Sequence, residues 1–140
     1  MAAKILIVDD DADLRRTFSL LLAPEFEVVE AADGAQALAL LARHRFALAL
    51  VDVSMPEMDG LQFLRASHDA RGGMIVVMVT AEIDLDTAKA ALGEGATSYV
   101  TKPCDQDYLR AEVRRLLNPQ PEDKSGRPWR VQEGTPSAGK

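Results

Sequence analysis

Between Phe46 and Gly60 the chain reads FALALVDVSMPEMDG, and Ala47 to Val51 are all apolar with no polar alternation. An unbroken run of that length predicts a strand buried on both faces of a parallel sheet. The run stops at Asp52, after which Pro56 and the Asp59-Gly60 pair signal a turn and a helix entry. Lys4 to Val8 (KILIV) and Met74 to Val79 (MIVVMV) predict a first and a fourth strand. Phe26 to Glu30 (FEVVE) predicts a more polar second strand at an edge, and Thr97 to Thr101 (TSYVT) a fifth.

Between these runs the apolar spacing lengthens to three and four. Leu14, Phe18, Leu21 and Leu22 line one face of a first helix, which Asp11 caps and Pro24 ends. Asp33-Gly34 opens a second helix with Leu38 and Leu41, and Leu61 and Leu64 mark a third. Ile83 to Leu92 is an alanine-rich fourth, stopped by Gly93 and Gly95. Asp105 to Leu117 is a fifth, with Leu109, Val113, Leu116 and Leu117 on its buried face. Five β-α alternations with short connections imply an α/β fold, a parallel sheet with helices on both faces and right-handed crossovers. From Asn118 the periodicity gives way to Pro, Gly, Ser and charge. Residues 1–117 are therefore expected to form the domain, and 118–140 a polar Pro/Gly-rich tail, disordered or a linker.

Composition narrows the function classes. With 47% apolar but only 5% aromatic residues, the core must be aliphatic. A net charge of −6 argues against direct nucleic-acid binding, which needs basic surface to displace counterions. No apolar run approaches the ~18 residues of a membrane span, and the single cysteine, Cys104, excludes an internal disulfide. A cytoplasmic protein is expected.

Four predicted strand ends carry polar groups: Asp9 and Asp10, Asp52, Thr80, and Lys102. In a parallel sheet these ends share one edge, where open α/β sheets bind ligands. The strand order 2-1-3-4-5, taken over from known doubly wound sheets, would bring Asp9, Asp10 and Asp52 together where the crossovers diverge. Three close carboxylates raise a pKa or recruit a cation, and hard oxygen ligands suit Mg²⁺. Lys102 adds a positive charge and Thr80 a hydroxyl. Such a set suits phosphoryl transfer, with Asp52 as nucleophile forming an acyl phosphate.

At this point the chain resembles a response-regulator receiver domain of bacterial two-component signalling, of the CheY-like kind. The matching pieces are IVDDD at Ile7 to Asp11, LVDVSMPEMDG at Leu50 to Gly60, VTA at Val79 to Ala81 and GATSYVTKP at Gly95 to Pro103, in the family's order and spacing. The resemblance implies a flavodoxin-like (βα)5 doubly wound parallel sheet of order 2-1-3-4-5. It implies that Asp52 accepts a phosphoryl group from a sensor histidine kinase or a histidine phosphotransfer protein. Asp10, Asp52 and the main-chain carbonyl of Ser54 would ligate Mg²⁺, and Asp9 would act through water. Lys102 would pair with phosphoryl oxygens, its bond to Pro103 cis; Thr80 would hydrogen-bond the phosphoryl group, and Tyr99 would turn inward. The repacked surface of the fourth helix, fifth strand and fifth helix would then engage a downstream partner, a missing output domain, or a second copy in a phosphorylation-dependent homodimer. Catalysis would be limited to the domain's own aspartyl phosphorylation and acyl-phosphate hydrolysis. Ser54, where methionine is common, and Glu82 bear on the acyl-phosphate lifetime. Cys104 has no assigned role.

Other readings of the same residues fit less well. Asp11 is a helix cap. Asp9-x-Asp11 resembles the nucleophile motif of haloacid-dehalogenase-type phosphatases, but Asp13 stands where that family has Thr or Val. A calcium loop needs Gly and Glu where Leu14 and Leu20 occur, and no GxxxxGK exists. Asp33 and Asp59 read as caps, His44 and His68 as surface groups, and Met74 and Met78 as core. Tyr99 could be a plain strand aromatic, and Trp129 a docking contact or linker residue. The competing functional reading is a degenerate receiver used as a phosphorylation-independent protein-binding scaffold. The intact Asp9, Asp10, Asp52, Thr80 and Lys102 set argues against it.

Overall fold

The computed structural model describes residues 3–55, 57–70, 72–80, 85–102, 105–117 and 130–131. Strand and helix alternate through β1 (Lys4–Val8), α1 (Ala12–Leu22), β2 (Glu27–Ala31), α2 (Gly34–Leu41), β3 (Leu48–Asp52), α3 (Gly60–Ala66), β4 (Ile75–Thr80), α4 (Leu85–Gly93), β5 (Ser98–Thr101) and α5 (Gln106–Leu117). The strands pair in the order β2-β1-β3-β4-β5, all parallel, so the expected doubly wound sheet of order 2-1-3-4-5 is the one observed. A two-residue strand, β6 (Arg130–Val131), lies parallel to β5 with Arg130 opposite Ser98 and Val131 opposite Tyr99. The sequence pattern held no strand there, because two residues are too few to show a period.

Helix entry is set locally. The carboxylates of Asp11, Asp33 and Asp59 each accept backbone N–H bonds from the first turn they precede, and Asp59 forms a reciprocal box with Gln62. Two strand ends run one residue further than the apolar runs: Asp52 closes β3 opposite Val79, and Thr80 closes β4 opposite Thr101. The fourth helix includes Gly93 and is not stopped by it.

Alternation along each strand splits the core in two. Leu6, Val8, Ala49, Val51, Val76 and Met78 face a layer built by α2, α3 and α4, including Ala37, Phe63, Leu64 and Ala91. Ile5, Ile7, Leu48, Leu50, Val77 and Val79 face α1 and α5 through Phe18, Leu22, Leu109 and Val113. Central strands with apolar residues on both faces need this arrangement, since either face left in water would expose aliphatic surface. Consequently α1 leaves β1 on one face and α3 leaves β3 on the other. The two neighbouring strands thus open a crevice between their C-terminal ends.

Candidate functional site

The register that sets Val8 opposite Val51 places Asp9 and Asp52 side by side at the mouth of this crevice. Both are buried, at 2% and 6% exposure, while Asp10 is exposed. One carboxylate oxygen each from Asp9, Asp10 and Asp52 falls within a 4.8 Å span. Lys102, just beyond β5, reaches in with its Nζ 3.2 Å from Asp9 Oδ2 and 3.4 Å from Asp52 Oδ1. Its own amide donates to the Thr80 carbonyl at 2.6 Å, which ties the base of the lysine to the end of β4. Asp9 Oδ1 accepts the Asp11 N–H at 2.9 Å, and Asp52 Oδ1 the Ser54 N–H at 3.3 Å.

Burial, reinforced by the neighbouring Asp9 charge, pushes the Asp52 carboxyl up to about 6 from an ordinary 3.8. The Lys102 ammonium and the Ser54 amide pull the other way without cancelling it. At neutral pH Asp52 is therefore ionised but poorly stabilised: a carboxylate held in a state that favours bond formation or cation binding. The donor set fits a hard divalent cation of the magnesium kind, because its side-chain ligands are all carboxylate oxygens and two of the three acids are buried beside each other.

Gly60 makes this closeness possible. A Cβ on it would meet the Asp52 main-chain oxygen at 2.7 Å, the Met78 methyl at 2.7 Å and Val53 Cα at 2.9 Å. The sequence marks this residue as a turn signal, whereas its function is close approach of α3 to the end of β3. Thr80 is 4% exposed and Tyr99 3% exposed, with Tyr99 in the layer shared with Ala88 and Ala91 of α4. Met74 and Met78 are core, and His44 and His68 are at the surface, as expected. Pro56, Glu82, Ile83, Pro103 with its expected cis bond, Cys104 and Trp129 lie outside the described residues. Two polar residues escaped the sequence reading. Glu112 of α5 is 5% exposed, accepting from Ser98 Oγ at 3.2 Å and from Arg115, and Arg15 contacts the Asp9 carbonyl. Arg15 did leave a trace: a cation near the start of a helix opposes the macrodipole preference.

The response regulator receiver domain profile matches residues 5–114. The chain belongs to this family. Among curated relatives, the receiver domain is 37% identical over 116 residues to the transcriptional regulatory protein GlrR of Escherichia coli, covering 82% of this chain and 26% of that protein. It is 42% identical over 118 residues to the response regulator protein FleR of Pseudomonas aeruginosa, covering 82% of this chain and 24% of that one. The chain thus spans about a quarter of the length of these relatives. Of solved structures, a CheY-like receiver domain protein from Methanospirillum hungatei aligns with a TM-score of 0.80 and 34% identity, covering 84% of this chain and 94% of that one. Chemotaxis protein CheY4 of Vibrio cholerae aligns at 0.78 and 32%, covering 83% and 99%. The receiver domain is of the two-component response regulator type, and among its described residues no helix is long and apolar enough to cross a membrane.

Proposed function

We propose that this receiver domain accepts a phosphoryl group on Asp52 from a phosphohistidine donor, a sensor histidine kinase or a histidine phosphotransfer protein, and later releases it to water. The observation that carries the reading is a buried, poorly stabilised Asp52 carboxylate with the Lys102 ammonium 3.4 Å away and two further acids beside it. In the forward step an Asp52 carboxylate oxygen attacks phosphorus. The P–O bond forms as the P–N bond breaks, and the imidazole leaves with the electron pair and takes a proton from solvent. Lys102 offsets the phosphoryl charge, and the Thr80 hydroxyl hydrogen-bonds a phosphoryl oxygen. Asp10, Asp52 and the Ser54 main-chain carbonyl would hold Mg²⁺, with Asp9 acting through water; the bound ion supplies charge neutralisation at the phosphoryl oxygens. In the reverse sense water attacks phosphorus, the P–O bond to Asp52 breaks, and carboxylate and inorganic phosphate separate.

Output follows from the surface of α4, β5 and α5, where Tyr99 lies on β5, separated by β4 from the strand that carries Asp52. A change in how Thr80 and Tyr99 pack would alter that surface for a downstream protein, an output domain or a second copy. The regulatory names of the relatives support an output of this kind. The test is incubation with Mg²⁺ and acetyl phosphate followed by intact-mass spectrometry. A gain of one phosphoryl mass, lost with EDTA and absent in Asp52→Asn, is expected. Phosphorylation of Asp52→Asn at the wild-type rate would overturn the assignment.

A further inference from the structure

Asp9 and Asp10 reach the site by different means. Every polar part of Asp9 is held: its N–H donates to the Ala31 carbonyl at 3.2 Å, Oδ1 accepts from Asp11 and Oδ2 from Lys102. The exposed Asp10 carboxylate has no hydrogen-bond partner among the described residues. Its direction is set by the backbone, above all by the peptide unit that joins it to Asp9. The carbonyl of that peptide accepts the Arg15 guanidinium NH1 at 2.6 Å. The Arg15 Nε in turn donates to Glu30 Oε1 at 3.0 Å, and Ser19 Oγ donates to Glu30 Oε2 at 2.7 Å. The Ser19 hydroxyl first, and Arg15 after it, hold the Glu30 carboxyl below its ordinary range. The Arg15 side chain is only 17% exposed. A planar fork seated between two acceptors is a rigid support, which a lysine cannot reproduce.

We infer that Arg15 is a positioning residue: braced by Glu30, it fixes the Asp9–Asp10 peptide so that the otherwise unsupported Asp10 carboxylate points into the acidic site. This rests on the reading of that site as a divalent-cation site. Its consequence has a distinctive sign. Removing Arg15 deletes a positive charge and leaves Glu30 unpaired, so electrostatics alone would tighten cation binding. Loss of positioning would weaken it, as loss of outer supports to metal ligands does elsewhere by about 10- to 100-fold.

The experiment is a Mg²⁺ titration of the full chain by calorimetry and amide NMR shifts. It compares wild type, Arg15→Ala, Arg15→Lys and Glu30→Gln, each also in an Asp10→Ala background, with circular dichroism to verify folding. Weakening of about tenfold in Arg15→Ala, partly recovered in Arg15→Lys, smaller in Glu30→Gln and absent once Asp10 is gone, is the expected result. Unchanged or tighter binding in Arg15→Ala overturns the inference, and so does an equal loss with and without Asp10. Absence of Mg²⁺ binding by the wild type would instead overturn the cation reading of the site, and the inference with it.

Discussion

Asp52→Asn should stabilise the receiver domain, and by an amount that depends on pH. The carboxyl ionises near 6 in the folded chain against an ordinary 3.8, so over that interval the unfolded state has given up its proton while the folded state keeps it. Where the folded state binds more protons, stability falls as pH rises. The penalty is therefore small at pH 4, roughly half developed at pH 5, and fully present above pH 6 to 7. The interval corresponds to an upper bound of about 3 kcal/mol, and water at the crevice mouth trims this to about 1–3 kcal/mol. Asparagine keeps the shape and carries no charge, so it escapes the penalty at every pH. Urea unfolding of both proteins from pH 4 to 8 in EDTA measures the difference, with other titrating groups common to both. With a slope typical of a domain this size, the mutant midpoint should exceed that of the wild type by about 1 M at pH 7 and match it near pH 4. A difference flat in pH, or a less stable Asp52→Asn at pH 7, would refute the reasoning.

Three further outcomes are expected. Lys102→Ala removes the nearest opposing charge, so the Asp52 carboxyl should titrate higher still, read by carboxyl ¹³C shifts, and acetyl phosphate should no longer label it. Gly60→Ala forces a methyl against the Asp52 carbonyl and Met78, costing about 1–3 kcal/mol in urea unfolding and slowing phosphorylation. Mg²⁺ should raise the thermal midpoint of the wild type in a concentration-dependent way, with EDTA reversing it and Asp10→Ala shifting the effect to higher Mg²⁺ concentration.

The sheet and its edge were legible in the sequence because the relevant signals are strong and local. Apolar runs such as Ala47 to Val51 and Met74 to Val79 have few other uses, and Asp11, Asp33 and Asp59 mark helix entries by short-range hydrogen bonds. Asp9, Asp52 and Thr80 are visible because each ends an apolar run, and Asp10 and Lys102 because they follow directly on the ends of predicted strands. What stayed hidden depends on distance in space. Gly60 looks like any turn glycine until the Asp52 backbone is set against it. Arg15 meets Glu30 across from another element, and Glu112 sits on a helix face whose pattern reads as apolar while Ser98 and Arg115 satisfy its carboxylate. Pairings of this kind leave no period, so only the folded chain reveals them.

Charge counting at the edge of the sheet ties these parts together. Asp9, Asp10 and Asp52 set three negative charges against the single positive charge of Lys102, leaving two uncompensated. Arg15 cannot supply the difference, because Glu30 already neutralises it. A divalent cation supplies that amount, whereas a second lysine would leave one charge over. The crowding that pushes Asp52 upward is thus a reserve of unfavourable energy that a bound cation would relieve. A better-solvated set of acids would give a more stable fold and a weaker site. Lys102 carries the remaining duty: its four-carbon stem lets the ammonium move with the acidic oxygens as their charge is redistributed.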